Sequence, residues 1–370
     1  MTKQLRRVEV SLGERSYDIL IGYNILQQFS LSLRERCSEK EIILISDTTV
    51  YGLYGQQLIK YLTNDDWKVI EYIMPTGEEA KSWNQAGSIL TKMLEANLSR
   101  NSSVIALGGG VVGDMAGFAA ALYRRGVNFY QIPTTLLAQV DSSVGGKVAV
   151  NHPLGKNMIG TFYQPQEVWT DLTLLDTLPL EEWRAGLAEV VKYGVIWDED
   201  FFLFLETNAD KVLQRSAEVV PDLIKRCCQI KAEIVSQDER DEGLRNILNF
   251  GHTIGHALES ATQYKKYRHG EAVAVGMLGA FLLAQQMNML DAEVVERFRK
   301  LLIKWGLPCS FSSCLLEKAV HNLIYDKKVA QQKLVFILPQ KLGKVVIEKG
   351  ITQELVESAM EKLLIKETSL

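Results

Sequence analysis

Three histidines lie close together in the sequence. His252, His256 and His269 fall within 18 residues, although the whole chain has only five histidines. Because His252 and His256 are four positions apart, both imidazoles would lie on one face of a helix. A single histidine is usually a hydrogen-bonded core or cap residue, but imidazole is also a common metal ligand and proton carrier near neutral pH. The cluster therefore predicts a metal site or a proton-transfer site.

A carboxylate that could complete a metal site precedes this cluster. Glu189 lies in the sequence Ala-Glu-Val-Val-Lys, in a predicted helix where an unpaired charge among apolar neighbours would be costly. Two imidazoles with one carboxylate, and one position left for substrate oxygens, are typical of catalytic zinc. Residues 253–255 are Thr-Ile-Gly, so the motif is not H-E-x-x-H and supplies no adjacent base.

A glycine-rich segment suggests a nucleotide site. Residues 108–113 read Gly-Gly-Gly-Val-Val-Gly and fit the pattern G-x-G-x-x-G, between a predicted strand (103–107) and a predicted helix (114–123). In that setting glycines let the backbone approach a pyrophosphate, and the helix N-terminus offers unpaired N–H groups. A tight turn would have the same composition, so the pattern alone leaves both interpretations open.

The acidic residue that usually binds the ribose is missing from its expected place. The region about 20 residues beyond the glycines holds Tyr130 and Gln131 instead. Asp47, directly after the predicted strand 41–46, could bind a ribose, or it could cap a helix that begins at Thr48. The N-terminal half therefore predicts a nucleotide site that departs from the usual Rossmann order.

Residues 134–157 combine glycines with lysines and an asparagine. Gly145-Gly146-Lys147 and Gly155-Lys156-Asn157 place backbone N–H groups beside point charges, which is typical of an anion cradle. Further cationic and amide side chains predict a small, polyanionic, polyhydroxylated substrate, although surface lysines are often only solvated. These side chains are Lys192, Lys231, Arg245, Asn249, Lys327 and Lys328. Arg245 and Asn249 are four positions apart in a predicted helix.

The elements that must position these residues change in kind near residue 179. Before it, short apolar runs alternate with helix-like stretches, which favours a largely parallel sheet covered on both faces. After it, nearly all periodic segments are helical. The predicted strands are 8–12, 17–21, 41–46, 68–73, 103–107, 128–132, 334–338 and 344–348, and the further predicted helices are 82–98, 181–197, 201–208, 211–235, 244–262, 271–287 and 292–305. We therefore expect an α/β nucleotide-binding domain over 1–179 and a mainly α-helical metal- and substrate-binding domain over 180–370.

The composition excludes several classes of protein. The chain has 370 residues, 47% of them apolar and 23% charged, and a formal charge of −4 that argues against nucleic acid or an anionic membrane as partner. The longest apolar run, 272–284, is shorter than the ~20 residues that cross a bilayer. Five cysteines without a framework spacing, and a start without an apolar leader, predict a cytoplasmic protein with reduced thiols.

Several segments together closely resemble the 3-dehydroquinate synthase family of the shikimate pathway. They are Gly108–Asp114, Pro133–Pro165, Glu189–Gly194, Asn249–Glu259 and His269–Met277. The similarity runs in order over nearly the whole chain. It implies a Rossmann-like N-terminal domain and a mainly helical C-terminal domain. It also implies a homodimeric enzyme that uses NAD and a divalent metal, usually zinc, with cobalt as the alternative.

The resemblance implies a lyase reaction of aromatic amino-acid biosynthesis. The family converts 3-deoxy-D-arabino-heptulosonate 7-phosphate to 3-dehydroquinate and phosphate. The metal chelates the C4 and C5 hydroxyls, NAD transiently oxidises C5, and the resulting ketone acidifies the neighbouring C6 proton. Phosphate is then eliminated and the same NADH reduces the ketone again. Ring opening and an aldol step close the carbocycle, so that NAD is recycled.

The same resemblance implies a role for individual residues. The metal ligands would be Glu189, His252 and His269. Contacts to the substrate hydroxyls and carboxylate are implied for Asp141, Lys192, Lys231 and Arg245. Phosphate-side contacts are implied for Lys147, Asn157, Asn249, His256 and Lys327, and a contact to the site of the other subunit for Arg125. NAD contacts are implied for Asp47, Thr76, Gly77, Glu78, Lys81, Gly109, Gly110, Val111, Val112, Gly113, Asp114, Thr134, Thr135, Lys147, Lys156, Leu174, Leu175, Asp176 and Thr177.

Some departures and alternatives stay open at this point. Gln332 stands where the family often has glycine, and the sequence does not separate Lys327 from Lys328 as the phosphate contact. A related sugar phosphate cyclase, such as a 2-epi-5-epi-valiolone synthase, would share the metal and NAD sites but change several substrate contacts. A metal-dependent polyol dehydrogenase would release NADH and would not need the phosphate-binding segment 155–157. A non-catalytic NAD- or metal-binding protein would not need every catalytic position.

Overall fold

The computed structural model describes residues 5–37, 39–329 and 334–365, and within 324–329 it describes the backbone only. The described chain divides into two compact units. The first contains the residues up to Pro179 together with Ile224–Arg240, and the second contains Leu180–Leu223 and the residues from Asp241 onward. From the sequence, residues 224–240 are expected in the second domain. Their contacts group them with the first unit, because Cys228 Sγ donates to the Gln139 carbonyl and Lys231 contacts Asp141.

The first unit is built on the predicted parallel sheet. Its strands are β1 (Arg6–Val10), β2 (Tyr17–Gly22), β3 (Glu41–Asp47), β4 (Lys68–Met74), β5 (Ser103–Gly108), β6 (Asn128–Pro133), β7 (Lys147–His152), β8 (Gly155–Phe162) and β9 (Glu167–Asp171). Seven of them form one sheet in the order β1-β2-β9-β6-β5-β3-β4, in which only β1 and β2 pair antiparallel. Strand β5 is buried along its whole length, as expected for a parallel strand covered on both faces.

Helices cover both faces of this sheet. They are α1 (Leu26–Arg36), α2 (Gln56–Asn64), α3 (Trp83–Glu95) and α4 (Gly110–Leu122). Alternate residues of β3 point to opposite faces, as a strand requires. Ile43 and Ile45 belong to a buried cluster with side chains of α3 and α4, whereas Ile42 and Leu44 belong to another with side chains of α1 and α2.

The polar stretch 145–162 forms a hairpin that the sequence analysis did not predict. Strands β7 and β8 pair antiparallel, and Pro153 and Leu154 lie in the turn between them. Most residues of β8 are partly or fully exposed, so its apolar periodicity is weak. The segment expected to be an anion loop is therefore a structured hairpin that holds Lys147, Lys156 and Asn157 on strands.

The second unit is mainly helical, as predicted. Its helices are α5 (Leu180–Ile196), α6 (Glu199–Thr207), α7 (Ala209–Leu213), α8 (Val220–Gln237), α9 (His252–Ala261), α10 (His269–Gln286), α11 (Ala292–Lys304), α12 (Leu316–Val329) and α13 (Gln353–Glu361). The larger part of α8 belongs to the first unit. Strands β10 (Val335–Lys341) and β11 (Lys344–Lys349) form the predicted antiparallel pair. Among the described helices, none combines the length and hydropathy that crossing a bilayer requires.

Two predicted helices of this region were wrong in extent. The predicted helix 211–235 is two helices, α7 and α8, because Arg215 adopts a positive φ of 55° and Pro221 lies in the first turn of α8. The predicted helix 244–262 is a 3₁₀ segment, Leu244–Asn249, followed by α9. The break falls at Gly251, whose φ of 80° is in the left-handed region.

Candidate active site

Close helix contacts bring the predicted metal ligands together in the second unit. Gly270, the second residue of α10, lies so near α5 that a Cβ atom there would come within 1.9 Å of the Ala185 carbonyl oxygen. On the other side of α10, a Cβ atom on Gly276 would come within 2.0 Å of the Gly251 carbonyl oxygen. Only glycine permits this backbone approach, which holds α10 against both α5 and the start of α9.

Glu189, His252 and His269 converge as a result. Glu189 lies in α5 and is fully buried, while His252 and His269 are the first residues of α9 and α10. The Nε2 atoms of both histidines lie 3.6 Å from Glu189 Oε1. One ligand atom from each of the three side chains lies within 4.8 Å of the others. These are the three residues that the family resemblance implied as metal ligands.

Hydrogen bonding fixes how the first imidazole faces this point. His252 Nδ1 lies 3.1 Å from the Phe250 carbonyl oxygen, which can only accept, so Nδ1 carries the proton and Nε2 presents its lone pair. Burial, with the nearby Lys192 cation, holds the pKa of His252 well below its ordinary value. The ring is therefore neutral at neutral pH, which is the form that binds metals.

The surroundings of Glu189 fit a bound cation. The ammonium of Lys192, one helical turn further along α5, forms an ion pair with Glu189 Oε2. Neither carboxylate oxygen accepts a well-directed hydrogen bond from the described residues. Lys192 pairs with Oε2 only, so Oε1 faces the Nε2 lone pair of His252 without an intervening proton, which is unfavourable because both atoms are acceptors. A divalent cation satisfies them together, and two nitrogens with one oxygen suit zinc or cobalt.

His256 and one residue that the sequence analysis missed extend this cluster. The ring centroid of His256 lies 5.3 Å from that of His252 and 6.0 Å from that of His269, so all three histidines are brought together. Glu259, one turn beyond His256, is buried, and its Oε1 lies 3.5 Å from His269 Nδ1. The spacing of His252, His256 and Glu259 along one helix face was the signal that could have identified it.

In the first unit, the glycine turn between β5 and α4 packs against the end of β6. Gly109 caps α4, and the Thr134 N–H donates to the Gly108 carbonyl at 3.0 Å. A Cβ atom on Gly110 would come within 3.0 Å of Ser142 Oγ, so a side chain would fill this concavity. The Thr134 hydroxyl is buried and has no hydrogen-bond partner within the described chain. A partly exposed helix N-terminus beside an unsatisfied hydroxyl fits a dinucleotide pyrophosphate.

A charged cluster lies beside this turn. Lys81, which is 6% exposed, forms an ion pair with Asp114 of α4, and its Nζ also donates to Asn157 Oδ1. Burial raises the pKa of Asp114 to about 6, against the attraction of Lys81, which lowers it. Glu78 accepts from Asn151 Nδ2 at 2.7 Å and lies 3.8 Å from Lys156 Nζ. Asn157, for which the family resemblance implies a phosphate contact, therefore lies among residues for which it implies NAD contacts.

Asp47 makes the cap that the sequence analysis left as an alternative. Its Oδ1 accepts from the Thr49 and Val50 N–H groups at 2.9 and 3.0 Å, and from Thr76 Oγ1 at 3.0 Å. Thr76 and Gly77 therefore lie beside Asp47 at the carboxyl ends of β3 and β4. The segment Leu174–Thr177 is tied to the same unit by Tyr54, whose hydroxyl contacts the Leu174 carbonyl and Thr177 Oγ1.

Lys231 and Asp141 form a second buried ion pair of the first unit. Lys231 Nζ lies 2.5 Å from Asp141 Oδ1 and donates to the Asp141 carbonyl at 2.7 Å. Lys231 is 6% exposed, so both contacts fix the direction of its ammonium group. These two residues were both implied as substrate contacts, and the structure brings them together.

Other predicted residues lie apart from these clusters. Arg245 is buried and Asn249 is exposed, because a 3₁₀ segment has three residues per turn and positions four apart do not share a face. Their spacing of four positions, noted in the sequence, therefore does not bring these two side chains together. Lys147 and Arg125 are exposed, and Arg125 has a positive φ of 67°. The predictions for Lys327 and Lys328 fall in the part of α12 whose side chains are not described, and Gln332 lies outside the described residues.

Family models match both halves of the chain. Residues 71–185 match the N-terminal domain of 3-dehydroquinate synthase, and residues 186–329 match its C-terminal domain. The chain belongs to the 3-dehydroquinate synthase family. Its relatives include the 3-dehydroquinate synthase of Thermodesulfovibrio yellowstonii, which is 47% identical over 355 residues, or 95% of this chain and 98% of that one.

Two solved structures that are similar to this chain are those of sugar phosphate cyclases. The 2-epi-5-epi-valiolone synthase of Streptomyces hygroscopicus, solved with NAD+ and Zn2+, has a TM-score of 0.87 and 29% identity, covering 95% of this chain and 98% of that one. A 2-deoxy-scyllo-inosose synthase, solved with carbaglucose-6-phosphate, NAD+ and Co2+, has a TM-score of 0.88 and 28% identity, covering 97% and 100%. The predicted fold class, α/β followed by mainly helical, is confirmed.

Proposed function

We propose that this chain is a 3-dehydroquinate synthase that converts 3-deoxy-D-arabino-heptulosonate 7-phosphate to 3-dehydroquinate and phosphate. The observation that carries the proposal is the convergence of Glu189, His252 and His269 in a chain of this family. The activity is that of a carbon–oxygen lyase acting on a phosphate, in the shikimate pathway. Its substrate is a small phosphorylated sugar acid, which suits the many lysines and amides near the candidate sites.

Glu189, His252 and His269 would hold the divalent metal, and residues of the first unit would hold NAD. When bound, the metal polarises a substrate hydroxyl and NAD takes up and returns a hydride. The glycine turn Gly109–Gly113 offers the N-terminus of α4 to the pyrophosphate. Asp47 is held by its cap bonds at the end of β3, where it remains our candidate for the ribose contact.

The buried lysines would orient the substrate. Lys192 is 1% exposed and lies against Glu189, so its ammonium is fixed beside the metal ligands. Lys231 is fixed by both the carboxylate and the carbonyl of Asp141. Fixed ammonium groups lose little conformational freedom when they bind a carboxylate or hydroxyl, and this preorganisation favours one pose of the substrate. Asn157, Lys147, Asn249 and His256 remain our candidates for the phosphate side.

A substrate panel read by phosphate release tests the proposal. With 3-deoxy-D-arabino-heptulosonate 7-phosphate, metal and catalytic NAD, we expect phosphate release without net NADH. Chelator should abolish it. Stoichiometric accumulation of NADH would indicate a polyol dehydrogenase, and equal turnover of sedoheptulose 7-phosphate would indicate a related cyclase. Either result would contradict the assignment.

We extend the proposal to a cytoplasmic homodimer. The five cysteines are free thiols in the structure, which suits a reducing compartment. The hairpin β7–β8 exposes Leu154 and Met158, at 89% and 71% of their surface, close in sequence to Lys156 and Asn157. Exposed apolar side chains beside functional residues are typical of an interface. Static light scattering of the purified protein measures its mass directly, and a monomer mass would contradict this extension.

A further inference from the structure

Glu259 is a buried carboxylate to which the proposed reaction assigns no role. It is 4% exposed and lies in α9, three residues after His256 and seven after His252. Residues with these spacings share one face of a helix, so α9 presents a metal ligand, a second imidazole and a carboxylate side by side. A buried carboxylate is costly unless charged or hydrogen-bonding groups compensate it, and the groups beside it are imidazoles.

The ring of His269 lies between two buried carboxylates. Its Nε2 faces Glu189 Oε1 at 3.6 Å, and its Nδ1 faces Glu259 Oε1 at 3.5 Å. The other oxygen, Glu259 Oε2, lies 4.0 Å from His256 Nε2. One carboxylate therefore reaches both a proposed metal ligand and the neighbouring histidine.

The two histidine ligands are oriented by different partners. His252 Nδ1 faces a backbone carbonyl, that of Phe250, whereas His269 Nδ1 faces the Glu259 side chain. An ionised carboxylate only accepts hydrogen bonds, so it favours the tautomer with the proton on Nδ1 and the lone pair on Nε2, toward Glu189. A carboxylate behind a ligating imidazole also raises its basicity and fixes its ring plane.

We propose that Glu259 is a positioning residue for the metal site. It holds His269 in the tautomer and orientation that bind the metal. This inference rests on the proposed metal site of Glu189, His252 and His269. It concerns the affinity and geometry of that site, and not the identity of the reaction.

Zinc affinity of the full-length protein, measured by competition with a chromophoric chelator, tests this role. We expect Glu259→Gln to bind zinc about 10–100-fold more weakly than the parent, and Glu259→Ala to bind more weakly still. Glu206→Gln is the matched control. It removes a carboxylate of the same unit, and this carboxylate pairs with Arg297 away from the site. Its zinc affinity should equal that of the parent.

Cobalt substitution separates positioning from a purely structural role. At saturating Co2+, the visible absorption of Glu259→Gln should differ from that of the parent, because the orientation of His269 changes. Loss of packing alone would lower thermal stability and leave that spectrum unchanged. If Glu259→Gln does not fold, Glu259→Asp, which keeps the charge on a shorter side chain, should show a smaller loss of affinity.

Three results would overturn the inference in different ways. Zinc affinity within about twofold of the parent, with an unchanged cobalt spectrum, would remove the role of Glu259 alone. An unchanged cobalt spectrum with lower thermal stability would make it a packing residue. A parent protein that binds no zinc would overturn both this inference and the proposed metal site.

Discussion

The two units each contain a buried cluster of charged side chains, and the clusters differ in how those charges are satisfied. In the helical unit, Glu189 Oε1 lies 3.6 Å from the Nε2 atoms of both His252 and His269, and within the described chain only Oε2 is paired, with the Lys192 ammonium. In the α/β unit, the Lys81 ammonium pairs with the Asp114 carboxylate and donates to the side-chain oxygen Oδ1 of Asn157.

This difference distinguishes two kinds of binding site. Lys192 pairs with Glu189 Oε2, whereas a cation is needed to join Oε1 with the two Nε2 atoms, so the first cluster is completed by a ligand. Opposite charges in contact compensate each other's burial, so the second cluster can be formed before any ligand binds. The helical unit should therefore respond to metal and to changes in its ligands, whereas the α/β unit should respond to pH and local charge.

The largest expected effect is that of Glu189→Ala. The variant keeps both imidazoles but loses the anionic ligand, so we expect its zinc affinity to fall by more than about 100-fold and phosphate release to disappear. The thermal transition of the α/β unit should stay unchanged. Metal content is measured by mass spectrometry of the purified protein. Undiminished zinc in this variant would contradict the ligand assignment.

Gly270→Ala should have the next largest effect. The added methyl group would lie 1.9 Å from the Ala185 carbonyl oxygen, so α10 must move away from α5. We expect a loss of about 2–3 kcal/mol in the helical unit, with weaker zinc binding because His269 moves with α10. Thermal unfolding followed with and without zinc measures both effects.

A matched glycine in α3 provides the control for that variant. A Cβ atom on Gly87 meets no atom within 4 Å, so Gly87→Ala should stabilise the α/β unit by about 0.5–1 kcal/mol. Equal stability changes in the two variants would show that the close approach of α5 and α10 is not what positions the site.

The smallest expected effect is the pH dependence contributed by Asp114. Its pKa in the fold, about 6, is above the ordinary value of 3.8, so the folded state binds more protons between these values. The stabilising contribution is present below pH 4 and is lost as pH rises through 6. Relative to Asp114→Asn, the parent should lose about 1 kcal/mol between pH 5 and 7. Urea unfolding of both proteins at each pH checks this, and a constant difference would contradict it.

The sequence predicted elements best where their local pattern was strong. The apolar strands β3, β5 and β6 and the helices α5, α10 and α11 were expected near their observed positions, because burial on one face leaves a clear period and burial on both faces leaves a continuous apolar run. The β7–β8 hairpin was missed, since its second strand is exposed and lacks that period. Helix ends at Arg215 and Gly251 were missed because a positive φ is a property of the folded backbone.

The candidate sites, like the secondary structure, could be predicted only in part from the sequence. The histidine spacing and the buried Glu189 predicted a metal site from side-chain chemistry alone, and the glycine turn predicted the start of α4. Glu259 was not predicted: its spacing from His252 and His256 along one helix face was a signal, but the sequence does not show that it lies behind His269. For Asp47, the sequence allowed both a helix cap and a ribose contact, and only the structure shows the cap bonds.

The sequence by itself determined which chemical groups the protein has, and the order of motifs that places it in its family. It also determined the alternation of strands and helices, because local periodicity and glycine positions act over a few residues. Tertiary structure decided which of these groups meet. Glu189 and His269 are 80 positions apart, and they face each other because Gly270 lets α10 approach α5. That contact depends on atoms distant in sequence, and no local pattern contains it.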